Sequence, residues 1–183
     1  MHKDVVYPNK ERNIFNIFSI MSILPTNVVV PPTGPLASWD FFIYGYQKLM
    51  QKAEDADLLN KLAKSKKWRM CSAVKTALRD NNYVVVVTDR RREIVFATHN
   101  IFEMTGYTNL EVKGKSPKMF QGTRTDLTVV SSIRDRIDDQ QPFETTVVNY
   151  RKNGEQYNCH ILGFPVFNSN NELVNFIAFE KAA

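Results

Sequence analysis

Few residues in this chain of 183 could carry out covalent or metal chemistry. Its two cysteines, Cys71 and Cys159, stand far apart and lack Cys-x-x-Cys or histidine spacing, which argues against a zinc site and a disulfide framework. Ser116 has no histidine at the spacing of a hydrolase motif. Phosphate-loop, kinase and dinucleotide-binding signatures are absent from the sequence. We therefore predict that the chain is not an enzyme.

The composition is that of an ordinary globular chain, with 43% hydrophobic residues, 23% charged residues and a net charge of +5. No basic run is interleaved with aromatic residues, so a nucleic-acid partner is not predicted. Residues 14–24 are apolar, but a membrane span takes about 20 such residues, and no small-residue cleavage site precedes Pro25. We predict a cytoplasmic protein without a membrane partner. Either Met1 or Met21 could be the true start.

The first 80 residues divide into a leader and a helical segment. Residues 1–37 are rich in proline and turn formers between positions 25 and 35, which predicts an extended or partly disordered leader. Residues 38–80 show helical spacing of apolar residues and predict three helices, over about 38–57, 58–63 and 68–78. Their apolar stripe fits either burial against a core or self-association, and the two interpretations are compatible.

The pattern changes near residue 81. Two β-branched runs (83–88 and 93–97) precede three helical stretches (100–107, 108–112 and 126–139). Three further strands then follow (143–150, 157–167 and 173–180), the first pair joined by an Asn-Gly turn. This order predicts an α+β domain over residues 81–183, with a five-stranded antiparallel sheet and short helices on one face.

Residues 114–122 read Gly-Lys-Ser-Pro-Lys-Met-Phe-Gln-Gly. This stretch resembles the flavin-binding signature of the light-oxygen-voltage (LOV) branch of PAS sensor domains. The sequences at 104–107, 133–135 and 149–154 are similar to further motifs of that family. The resemblance runs from about residue 83 to residue 181 and implies the PAS fold. Residues 149–159 are also similar to short bacterial proteins that combine an N-terminal helical segment with one PAS domain.

The resemblance implies a role for several side chains. Pro117 stands where the family has the cysteine that attacks the excited flavin, and proline has no thiol. Lys118 and Arg134 occupy the positions of two basic residues that hold the flavin phosphate. Gln121 matches a contact to the ribityl chain, and Asn149 matches one of two asparagines at the pyrimidine edge of the ring.

Two other positions depart from the family. Cys159 falls at the second asparagine, and a thiol is a weak hydrogen-bonding group. Glu180 falls at the final glutamine, and an ionised carboxylate cannot donate a hydrogen bond. Each lost ring contact would cost about 1–3 kcal/mol. We therefore predict that the protein carries no cofactor, with FMN as the alternative.

The same residues have simpler interpretations. Lys118 and Arg134 fit solvated helix positions, and Asn149 fits an ordinary strand. Cys159 fits a small buried hydrophobe, and Glu180 near the end of the sequence fits a position facing water.

These observations predict a stand-alone PAS sensory module that forms a homodimer through residues 38–80. A small-molecule ligand or an unidentified signalling partner would change how the helical segment packs on the sheet. Because the sequence ends just after the last strand, we expect the signal to leave through protein association. One alternative is an FMN-binding flavoprotein that forms no adduct. Another is a ligand-free dimerisation module whose pocket is filled by aromatic side chains: Phe120, Tyr157, Phe164 and Phe179.

Overall fold

The computed structural model describes residues 36–78 and 82–183. Five helices and six strands follow one another in this order: α1 (Leu36–Ser65), β1 (Trp68–Arg69), α2 (Ser72–Ala77), β2 (Val84–Thr88), β3 (Ile94–Ala97), α3 (Ile101–Thr105), α4 (Asn109–Val112), α5 (Leu127–Asp138), β4 (Phe143–Tyr150), β5 (Gln156–Asn168) and β6 (Leu173–Ala182). A 3-10 helix, Pro117–Phe120, lies between α4 and α5. Residues 1–35 of the predicted leader, the apolar stretch at 14–24 and the question of Met21 fall outside the described residues, and residues 36 and 37 already belong to α1.

The strands form one antiparallel sheet in the order β1-β5-β6-β2-β3, and β4 pairs with the first part of β5. The predicted α+β fold with five main strands is therefore confirmed. β5 is long enough to pair with β4 near its start and with the two-residue β1 at its end. The β4–β5 hairpin turns at Gly154, whose positive φ of 86° suits a residue without a Cβ.

The sheet is buried on both faces because β2 is apolar at four consecutive positions. We call the inner face the one that carries Val84 and Val86, and the outer face the one that carries Val85 and Val87. Residues of α3, α4 and the 3-10 helix pack on the inner face: Ile101, Met104, Val112 and Phe120. Residues of α1 and α2 pack on the outer face with strand residues: Leu59, Val74, Val166, Ile177 and Phe179.

The N-terminal helical segment differs from its prediction in two respects. The first two predicted helices are one continuous helix, α1, of 30 residues. No proline or glycine interrupts residues 46–65, so nothing in the local sequence forces a break. The third predicted helix begins as β1, whose Trp68 pairs with Asn168 of β5, and only then becomes α2. The Trp68 Nε1 donates to Asn175 Oδ1 at 3.0 Å, which holds this short strand at the sheet edge.

A buried carboxylate joins α1 to the rest of the domain. Asp55 is only 8% exposed, and its Oδ2 accepts a hydrogen bond from the backbone N–H of His99 at 2.9 Å. Its Oδ1 lies 2.8 Å from Nδ1 of the His99 ring. Burial raises the pKa of Asp55, and the bonds from His99 oppose that shift.

Within residues 36–78 and 82–183, no helix is long and apolar enough to cross a membrane.

We expect Asp55→Ala to lower the free energy of unfolding by about 1–3 kcal/mol, because the His99 N–H loses its acceptor. Asp57→Ala is the matched control, since Asp57 is exposed and pairs only with exposed Lys61 one turn away. That control should change stability by less than about 0.5 kcal/mol. Urea unfolding measures both variants. Equal losses in the two would contradict a specific role for Asp55.

Candidate ligand-binding site

Backbone pairing with β3 positions the loop that contains Pro117. The Gly114 N–H donates to the Ile94 carbonyl at 2.7 Å, and the Ile94 N–H donates to the Lys115 carbonyl at 2.8 Å. Gly114 has a φ of +77°, which a residue without a Cβ adopts most easily. The Ser116 hydroxyl accepts from the Lys118 N–H and caps the 3-10 helix. Pro117 begins that helix, where its missing N–H has no consequence.

The far end of the same loop lies against β4. A Cβ at Gly122 would come within 2.4 Å of the Tyr150 ring, so only glycine fits there. The Tyr150 hydroxyl accepts a hydrogen bond from the Arg124 N–H at 2.9 Å. Thr125 also donates from its hydroxyl to the Val148 carbonyl at 2.6 Å. These contacts fix the loop beside the sheet and place Gln121, which is half-buried, near the inner face.

The two candidate phosphate-binding cations are exposed. Lys118 lies in the 3-10 helix, and Arg134 lies on α5, a helix capped by the Asp126 side chain. Within the described part of the chain, neither side chain forms an ion pair or a hydrogen bond. Both cations are thus available to an anion.

The inner face of the sheet carries four buried polar side chains. Asn149 of β4 stands opposite Tyr157 of β5, and Cys159 follows two residues later on the same face. Glu180 of β6 stands between Val84 and Ile161, its partners on the two neighbouring strands. The Cys159 Sγ donates to the Glu180 Oε2 at 3.7 Å. The structure thus brings three predicted site residues together: Asn149, Cys159 and Glu180.

Glu180 does not face water, as its position in the sequence suggested. The residue is 6% exposed, and burial raises the pKa of its carboxyl to about 7. A carboxyl of this kind is substantially protonated near neutral pH and then carries a hydrogen-bond donor. Burial also raises the pKa of Cys159, with the negative charge of Glu180 adding to the effect. The thiol is therefore neutral, as expected for a small buried cysteine.

Tyr157 is a polar member of the site that sequence reasoning treated only as a filler. Its hydroxyl is buried and forms no hydrogen bond with a described residue. Burial raises the pKa of this hydroxyl, which is therefore a neutral donor. The Arg151 guanidinium lies 4.8 Å from the centre of the Tyr157 ring and donates to the Met104 carbonyl. Only the alternation along β5, which puts residues 157 and 159 on one face, could have identified it.

Two of the four aromatic residues predicted to fill the pocket lie on the inner face, and the other two do not. Phe120 and Tyr157 lie in the inner core with Met104 and Val112. Phe164 and Phe179 lie on the outer face instead, where their rings pack edge to face at 6.0 Å. The alternation of side chains along β5 and β6 sends these two residues to the opposite side of the sheet.

The sequence profile of the PAS domain family matches residues 80–181. This chain therefore belongs to the PAS domain family. It is 31% identical over 115 residues to phototropin-2 of Oryza sativa subsp. japonica, a match that covers 61% of this chain and 13% of that protein. It is 34% identical over 85 residues to a blue-light-activated histidine kinase of Brucella ovis, covering 46% of this chain and 17% of the kinase. The match thus spans a small part of the length of these relatives.

The fold agrees with a solved LOV domain that was studied with a flavin analogue. That structure superposes with a TM-score of 0.56 at 23% identity, over 62% of this chain and 87% of the other. The resemblance to the LOV branch is therefore confirmed. The prediction that the protein carries no cofactor is contradicted, because its relatives include blue-light-activated histidine kinases and its structural neighbours include a LOV domain studied with a flavin analogue.

We expect the free energy of unfolding to fall as pH rises from about 4.5 to about 7, by an amount on the order of 3 kcal/mol from Glu180 alone. In that range the unfolded chain releases the Glu180 proton while the folded chain keeps it. Glu180→Gln should lack this contribution, so its stability relative to the wild type should increase with pH. Urea unfolding across this range measures the difference.

Glu93→Gln serves as the control for this titration because Glu93 is exposed in the turn before β3. Its stability should follow that of the wild type at every pH. A constant difference between the wild type and Glu180→Gln would contradict a raised Glu180 pKa.

Proposed function

We propose that this PAS domain is a sensory module that binds a flavin, FMN in particular, on the inner face of its sheet. The observation that carries the proposal is the buried Tyr157 hydroxyl, which has no hydrogen-bond partner among the described residues and lies beside Asn149 and Glu180. A buried polar group without a partner costs about 1–3 kcal/mol, so a polar ligand at this place would stabilise the domain. The isoalloxazine ring offers both carbonyl oxygens and nitrogen atoms to such groups.

The charges around the site fit the rest of the FMN molecule. Lys118 and Arg134 are exposed, and neither is paired with an acid within residues 36–78 and 82–183. A phosphate favours such cations, and the planar guanidinium of arginine can bind two of its oxygens. Gln121, at the end of the 3-10 helix, would then face the chain that joins the phosphate to the ring.

The response of the module differs from thiol photochemistry. A bound flavin supplies absorption of blue light and a site for electron transfer. Pro117 cannot provide a nucleophilic sulfur. Cys159 is fully buried, and burial together with the nearby Glu180 raises the pKa of its thiol, which keeps it protonated. The module would therefore respond to the redox or excited state of the flavin through hydrogen bonds rather than through a covalent bond.

The sheet connects the ligand site to α1. Glu180 contributes to the inner face, and its neighbour Phe179 packs on the outer face with Leu59 of α1. In the same way, the residues of β2 alternate between the two cores. A shift of β6 at the ligand would thus change the packing under α1, through side chains that are in direct contact.

The N-terminal half of α1 supports association between two copies of the chain. Four apolar side chains in this half point away from the domain, because they lie between about 120° and about 240° around the helix from the docked Asp55, with Tyr46 at about 180°. Their exposed fractions run from 40% for Leu49 to 55% for Tyr46. We define this dimerisation stripe as the following residues: Ile43, Tyr46, Leu49 and Met50. We propose that the stripe pairs with its copy in a homodimer, whose geometry carries the signal to a partner.

Wild-type protein mixed with excess FMN and then desalted should retain the absorption bands of a bound flavin. Lys118→Ala and Arg134→Ala should each weaken FMN binding by about 10-fold or more, because each removes one charged contact to the phosphate. Their affinity for riboflavin, which lacks the phosphate, should stay unchanged. Isothermal titration or fluorescence quenching gives both constants.

Arg136→Ala is the control for this experiment, since Arg136 is also exposed on α5. It should bind FMN as tightly as the wild type. A wild-type protein that stays colourless with FMN would refute flavin binding. Equal losses for FMN and riboflavin would refute the assignment of the two cations to the phosphate.

We expect the double variant Tyr46→Glu, Met50→Glu to raise the dissociation constant of the homodimer by about 30-fold or more, because it places charges in an apolar contact. Sedimentation velocity over a range of concentrations measures this constant. Leu110→Glu is the control, because Leu110 is 79% exposed and lies outside the stripe. A wild-type protein that stays monomeric, or a double variant that dimerises normally, would contradict the proposed interface.

A further inference from the structure

We propose that Glu180 acts as a neutral carboxylic acid that donates a hydrogen bond to an acceptor atom of the flavin ring, so that ligand affinity is set by pH. This assignment rests on the proposed function, since it requires a flavin on the inner face. It replaces the amide donor of the family with a donor that can be lost by titration. Glu180 would then select ligands that present a hydrogen-bond acceptor at this position of the site.

The surroundings of Glu180 favour its neutral form. The carboxyl lies on the inner face of β6, between Val84 and Ile161 of the neighbouring strands. The helices opposite contribute apolar side chains to that core, including Met104 and Phe120. Burial of an ionised carboxylate among such groups is unfavourable unless a cation or several donors compensate it.

No such compensation is present among the described residues. The hydrogen bond from the Cys159 thiol, at 3.7 Å, is the only one that the described residues make to the Glu180 side chain. The other titratable groups that face Glu180 are the neutral Cys159 and Tyr157, which lie on the adjacent strand β5. Arg151 lies over the ring of Tyr157 and forms its ion pair with Glu155. Among the described residues, Glu180 therefore has no ion-pair partner.

The neutral carboxyl leaves one donor unused. The Cys159 thiol donates to Oε2, and the described residues form no other hydrogen bond with the Glu180 side chain, so a proton on this carboxyl is left for a ligand. A ring carbonyl or imine nitrogen of the flavin would supply the acceptor. Once ionised, the carboxylate would instead face the lone pairs of the same ring atom, and both the repulsion and the lost hydrogen bond would weaken binding.

Riboflavin is the suitable probe because it has no phosphate that titrates near neutral pH. If only the neutral form of Glu180 binds, the dissociation constant of the wild type should rise roughly 30-fold between about pH 6 and about pH 8.5, given a carboxyl pKa of about 7. Glu180→Gln keeps a donor of similar shape that does not titrate. Its dissociation constant should change less than about twofold over the same range.

Infrared difference spectra of wild type minus Glu180→Gln supply a measurement that does not require the flavin. The carbonyl stretch of a protonated carboxylic acid should be present at about pH 6 and lost at about pH 8.5. Adding riboflavin at the lower pH should move that band to lower frequency, as expected when the acid donates a hydrogen bond.

The outcomes separate this assignment from the proposed function. Riboflavin binding that is independent of pH in both proteins, or that depends on pH equally in both, would overturn the role of Glu180 alone. Absence of the carboxylic acid band at the lower pH would also overturn it. If neither the wild type nor Glu180→Gln binds riboflavin at either pH, the proposed function is overturned, and this assignment with it.

Discussion

Burial of both faces of a single antiparallel sheet is the constraint on which the rest of this structure depends. β2 is apolar at four consecutive positions, so neither face of the sheet can remain in water. The short helices α3 and α4 cover the inner face, and α1 and α2 cover the outer face. Leu59 of α1 and Val74 of α2 are therefore part of the hydrophobic core on the outer face. A change on one face affects the other, because adjacent residues of each strand belong to opposite cores.

The polar groups on the inner face are the exception to that burial. Asn149, Tyr157 and Glu180 are almost fully buried, yet they share few hydrogen bonds. A core optimised for stability alone would have apolar residues at these positions. Their cost is explained if a ligand completes their hydrogen bonds. Burial also lets Glu180 act as a neutral hydrogen-bond donor, whereas an ionised glutamate at the surface can only accept hydrogen bonds.

Much of the fold was predictable because its signals are local. The strands around Val84 and Phe143 and the helices predicted at 100–107 and 126–139 all lie close to where β-branched runs, alternation and helical spacing predict them. β1 was missed because two residues carry no period of their own and become a strand only by pairing with β5. The break predicted within α1 was wrong because most residues at 52–57 (Lys52, Ala53, Glu54 and Ala56) are good helix formers and no proline or glycine ends the helix there.

The PAS family and the order of the elements could be predicted from the sequence, because they depend on motifs and on the spacing of residue types, whereas the candidate site residues stay predictions. Only the packed fold shows which face each side chain occupies and which groups lose contact with water. The fold therefore places Phe164 and Phe179 on the face opposite the predicted pocket and buries the carboxyl of Glu180. Burial arises from residues distant in sequence that pack together, and the ionisation of a carboxyl follows its surroundings rather than its residue type.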